Sequence, residues 1–140
     1  MSKVQRVEEK IRTVRRHLDK VERNLPETEE EFSSMGIEKD GIYKNVESAI
    51  QASYDICALI VKEEDFRVPG DEESLPDILV EENILDEKTG DKLKDMKGFR
   101  NALAHRYGEI DDGIAFDNIS QGLNDFESFL EQVEKYLSSR

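Results

Sequence analysis

The 140-residue sequence predicts an all-α protein, most simply an antiparallel up-and-down bundle of four principal helices with one short extra helix. Two observations lead there. Apolar residues recur at alternating spacings of three and four near both ends of the chain, the period of a single helix face. No stretch alternates apolar and polar residues as a half-buried strand would, and no segment repeats another.

Val4, Val7, Ile11, Val14, Leu18, Val21 and Leu25 form one narrow seam, so the first helix should stop near Pro26, whose ring cannot continue it. The following "PETEEEFSSMGIEKD" mixes acids, serines and a glycine with few apolar anchors, which predicts a connection with one short helical turn. A second helix should begin near Asp40, with Ile42, Val46, Ile50, Ser53, Ile56, Cys57 and Ile60 on one face. Its apolar content makes it the expected core helix. "DFRVPGDEESLPD" reads as a loop, and Ser74 reads as the N-cap of a short helix, "PDILVEEN", with Pro76 in its first turn. Leu93, Met96, Leu103 and either Gly98 or Phe99 then share a face of a helix that Gly108 is expected to close in the left-handed conformation. Phe116, Ile119, Leu123, Phe126, Leu130, Val133 and Leu137 mark the last helix.

A chain of this length is about the size of one domain, so residues 1–140 are expected to form a single helical domain without disulfide or metal support. The lone cysteine, Cys57, lies in the apolar "YDICALIV" and reads as a buried core residue in a reducing compartment. No segment approaches a membrane span and the N-terminus lacks a signal-peptide core, so a cytoplasmic location is expected. Net charge is −13, which argues against general affinity for polyphosphates. That charge is uneven. Residues 1–25, 26–87, 88–107 and 108–140 carry +4, −15, +4 and −6, leaving two basic segments in an acidic protein.

The second basic segment holds "GFRNALAHRYGEI", where Arg100, Asn101, His105, Arg106 and Tyr107 fall close together. Histidine exchanges protons near neutral pH, and an arginine fork fits a phosphate with two hydrogen bonds. Together they suit attack of an RNA 2′-hydroxyl on its neighbouring phosphate, His105 moving the proton and Arg100 stabilising the phosphoryl charge. Geometry complicates this. In an ideal helix His105 lies about 140° from Arg100 and about 40° from Asn101, so Arg100 and His105 do not share a face. Either the helix loosens near Gly108, or the arginine wraps around, or the second residue comes from a neighbouring subunit. Asn101 is placed to orient the His105 ring. Lys92, Lys94, Lys97 and Arg106 are candidates to guide an RNA backbone, although solvated helix charges are the commoner explanation. A packed, hydrogen-bonded His105 and a surface His17 are the plain structural alternatives. One cysteine and two distant histidines make no metal site, and no cofactor is expected.

Arg100, four residues, His105, one residue, Tyr107, inside "MKGFRNALAHRYGEID", resembles the signature of the HEPN superfamily, and specifically of HepT-like toxins. "NVESAIQASYDICALIV" and "LPDILVEENIL" are similar to other segments of that family, so the likeness covers roughly residues 40–135. The resemblance implies a HEPN-like bundle and a metal-independent endoribonuclease with its site at a homodimer interface. It also implies a minimal nucleotidyltransferase antitoxin as partner, which transfers AMP to the tyrosine matching Tyr107. On this reading Arg100 and His105 are catalytic, Asn101 supports them, and Lys97 and Arg106 contact RNA. Two rivals stand beside it: a non-catalytic helical module that binds a nucleotidyltransferase, favoured by the acidic surface, and a nucleotide-binding domain dependent on Arg100.

Overall fold

A computed structural model of the protein describes residues 2–105 and 107–139, with only the backbone of Tyr107. Helix α1 spans Lys3–Asn24 and starts with a reciprocal cap in which Ser2 and Gln5 each satisfy the other's backbone N–H. Its seam is as expected, with Val7, Ile11, Val14, Leu18 and Val21 buried. Leu25 leaves the helix in an extended conformation ahead of Pro26. The acidic connection folds a short α2, Glu29–Ser34, whose single buried side chain, Phe32, stacks edge-on to Tyr43 and tilts against Phe116. That one ring seats α2 between the second and last long helices.

Helix α3, Ile37–Glu63, begins ahead of Asp40 and buries more of its circumference than the face read from spacing, because Tyr43, Ala49, Ala52, Tyr54 and Val61 are also inside. Cys57 is fully buried, and burial pushes its thiol far above the ordinary range, so it is an inert core group. Short α4, Ser74–Glu81, plugs Leu75, Pro76, Ile78 and Leu79 into the core. Here Ser74 is the first helical residue and not the cap. Asp71 does the capping, its Oδ1 accepting from the Ser74 N–H at 2.9 Å and hydroxyl at 2.8 Å. Helix α5, Glu87–His105, is followed by a 3-10 turn, Tyr107–Glu109, and by α6, Asp112–Ser138, which Asp111 caps through the Ile114 N–H.

The left-handed closure expected at Gly108 does not occur, since no described glycine has positive φ. Asp65 and Asn83 take that conformation instead. Each sits two residues past its helix, just beyond the cap residue, and the next N–H reaches back to close the end, Phe66 to the Val61 carbonyl and Ile84 to the Leu79 carbonyl.

Contacts along the helices fix their directions. Lys3 and Arg6 meet Glu63 while His17 Nδ1 lies 2.8 Å from Asn45 Oδ1, so α1 and α3 are antiparallel. The His17 contact also corrects the surface reading, because the side chain is half-buried against α3. Tyr54 donates to the Leu93 carbonyl and Arg100 donates to Gln51, which sets α5 antiparallel to α3. Gln132 bonds the Asp86 N–H and the Thr89 hydroxyl while Met96 and Phe99 share a groove with Ile119 and Leu123, and Val4 and Leu137 line one hollow while Arg15 reaches Glu127, so α6 runs against both α5 and α1. The result is the expected up-down-up-down bundle of α1, α3, α5 and α6. Each buried Val, Leu, Ile or Phe contributes roughly 1.5–3 kcal/mol, against about 0–1 kcal/mol for an exposed ion pair, so the apolar seams and not the surface charges hold it together. Among the described residues no helix is long and apolar enough to cross a membrane.

Candidate functional site

Arg100 lies in the last turns of α5 and turns inward, its side chain only 15 % exposed. A cation so covered needs partners, and among the described residues it has three. Nη2 donates to Glu72 Oε1 at 2.8 Å, Nη1 donates to Gln51 Oε1, and Nη2 makes a long 3.4 Å approach to Asn101 Oδ1. Gln51 is itself oriented, because its amide nitrogen donates to Asp55 Oδ1 at 3.1 Å and thereby turns its oxygen to the guanidinium. Nearby on α3, Tyr54 is buried and donates to the Leu93 carbonyl at 2.9 Å. Burial pushes its phenol far up, the Glu72 and Glu73 carboxylates add to this, and Arg100 opposes it, so Tyr54 is a neutral structural donor at neutral pH.

His105, the last residue of α5, is exposed and makes no side-chain hydrogen bond with the described residues. Helix α5 runs unbroken through both residues, so Arg100 and His105 leave it about 140° apart. Asn101 faces Arg100 and not the imidazole, contrary to the orienting contact read from helix spacing. Of the remaining candidates, Lys97 is 15 % exposed and lies 3.8 Å from Glu73, whereas Arg106 and the Tyr107 side chain lie outside the described residues.

The family model for ribonuclease HepT-like proteins matches residues 14–133, a span that contains the whole Arg100–His105–Tyr107 motif. The chain belongs to the HepT-like ribonuclease family. A candidate RNase of Archaeoglobus fulgidus is 31 % identical to it over 124 residues, covering 87 % of this chain and 93 % of the relative. An mRNA nuclease HepT of Shewanella oneidensis is 24 % identical over 125 residues, covering 89 % of this chain and 93 % of that one. Among solved structures, the tri-AMPylated HEPN toxin of Shewanella oneidensis in complex with an MNT antitoxin matches with a TM-score of 0.85 at 23 % identity, over 96 % of this chain and 99 % of the other. The cytosolic protein YutE of Bacillus subtilis matches with a TM-score of 0.82 at 21 % identity, over 96 % and 90 %. At such identities the structural likeness establishes the HEPN-like fold.

One groove of this HepT-like chain lies elsewhere. About 220 Å³ in volume, it lies between α3, α5 and α6 over Ile50, Met96, Phe99 and Ile119, and neither Arg100 nor His105 lines it. Among the described residues no cluster of three or more His, Cys, Asp or Glu could hold a metal ion. Gln51 and Glu72, the residues that hold Arg100, carry no local motif. The one available signal was charge: the acids of 71–77 are opposite in sign to the basic run on α5, but nothing in the sequence said that they face each other.

Proposed function

We propose that the chain is an endoribonuclease that cleaves by 2′-hydroxyl attack, the toxin of a pair whose antitoxin is a minimal nucleotidyltransferase. The observation that carries this reading is an inward-held Arg100 followed, at the end of the same helix, by an exposed His105, inside a span matched by the HepT-like ribonuclease family. Arg100 binds the scissile phosphate and stabilises the charge that grows on its oxygens. His105 takes the 2′-hydroxyl proton and returns one to the leaving oxygen. Asn101 helps to set the guanidinium. Because the two catalytic groups diverge within one chain, the site is completed in a homodimer, where His105 of one copy approaches Arg100 of the other. The antitoxin silences the site by transferring AMP to Tyr107, which places a phosphate and a purine beside the motif. The toxin–antitoxin neighbours in fold support this partner.

Purified chain, free of any partner, tests the reading. It should cleave RNA in EDTA and leave 2′,3′-cyclic phosphate ends. His105→Ala should lower the rate by about 10²–10⁴-fold, the usual worth of a general acid–base, with the helical spectrum intact. Tyr107→Phe should still cleave yet escape silencing by the nucleotidyltransferase and ATP. Strict magnesium dependence, 5′-phosphate products, or antitoxin binding without any cleavage would sink the enzymatic reading, the last in favour of a non-catalytic module.

A further inference from the structure

Three cations stand at every third position of α5: Lys94, Lys97 and Arg100, rising about 9 Å along the helix. Each is met by a carboxylate from the segment that leads into and through the start of α4. Lys94 Nζ lies 2.8 Å from Asp77, Lys97 Nζ 3.8 Å from Glu73, and Arg100 Nη2 2.8 Å from Glu72. The pairing runs in register from one end of the stripe to the other. One end of this acidic strap is fixed, since Leu75 and Pro76 are buried and Asp71 caps Ser74. Its outer part is solvent-facing, with Val68 87 % exposed, and is tied down by Arg67, which donates to Glu81 at 2.9 and 3.0 Å, so only the Glu72 and Glu73 side chains need move to uncover the stripe.

Carboxylates and phosphodiester oxygens present the same chemistry to a guanidinium, an anionic acceptor pair for its fork. We propose that the Lys94–Lys97–Arg100 stripe is the track for substrate phosphates and that the strap occupies it in the free chain, Glu72 acting as an internal competitor for Arg100. This rests on the ribonuclease reading. Substrate RNA must displace Glu72 and Glu73 to engage the track, so affinity for RNA is set by strap opening as well as by contact. Such a device keeps an acidic protein with a narrow basic stripe from binding polyphosphates indiscriminately.

The test uses two probes, a short 2′-O-methylated RNA that cannot be cleaved and inorganic polyphosphate, with cleavage of unmodified RNA measured alongside. Glu72→Gln keeps the side-chain shape and removes the competing charge. For a strap closed about nine-tenths of the time, opening it should tighten both probes about tenfold. Glu22→Gln makes the same charge change on α1 and should alter neither by more than about twofold. Adding Arg100→Gln to Glu72→Gln should abolish the gain. If Glu72→Gln loses its helical spectrum, Glu73→Gln gives the same test through Lys97, with a smaller gain expected. Binding by Glu72→Gln no tighter than by Glu22→Gln, or a fall in kcat at unchanged KM, overturns the proposal, the latter making Glu72 a positioning residue. The two readings also fail separately. A polyphosphate gain with no cleavage by any protein removes the ribonuclease and keeps the track, and normal cleavage with no gain does the reverse.

Discussion

Asp112 joins the first turn of α6 to α3 through two hydrogen bonds of 2.7 Å, one from Lys39 and one from the Tyr43 hydroxyl. Burial alone would raise its carboxyl, but those two donors and the Lys39 charge outweigh burial and hold it below the usual carboxylate range. A depressed carboxylate stabilises the fold above its unfolded value, about 3.9, and loses that contribution as pH falls through the folded value. Asp112→Asn should therefore cost about 1–2 kcal/mol at neutral pH, the worth of a charge-assisted hydrogen bond. The gap from the parent should shrink as pH falls below about 4. Urea melts across that range check it, and a gap independent of pH would show that the charge contributes nothing.

Helices α4 and α5 are in close contact at Gly90, where an added Cβ would stand 2.6 Å from Val80 Cγ2. Alanine is normally worth about 1 kcal/mol over glycine inside a helix. Here the stiff valine cannot swing clear, so Gly90→Ala should instead destabilise by about 1–3 kcal/mol, as overpacking does. Thermal melts decide the sign. The same scale separates what could be read from the sequence. Helices α1 and α6 announce themselves because each has one apolar seam, and the Arg100–His105 motif stands out against acidic surroundings. Helix ends were harder. Ser74 looks like a cap until Asp71 is seen to reach it, and Gly108 looks like a left-handed stop although Asp65 and Asn83 supply the two that exist among the described residues. Both errors come from treating residue type as sufficient where a specific hydrogen bond decides. The environment of Arg100 was hidden for another reason. Gln51 and Glu72 are distant in sequence and reach it only through the packing of α3, the strap and α5.

At the scale of the whole molecule, a chain with net charge −13 keeps two basic segments, one on α1 and one on α5, and the proposed homodimer would pair Arg100 of one copy with His105 of the other. Mixing Arg100→Ala with His105→Ala protein and allowing exchange should restore part of the lost cleavage, because one of the two sites in each mixed dimer keeps both wild-type groups. No rescue after exchange is verified by mass would place each site within one chain. The buried thiol of Cys57 gives such experiments an internal clock. As the single cysteine, sealed in the C-terminal half of α3, it can react with an alkylating reagent only when the bundle itself opens. Its labelling rate counts excursions of the core, so a substitution that frees the strap without loosening the helices leaves the clock running at its original pace.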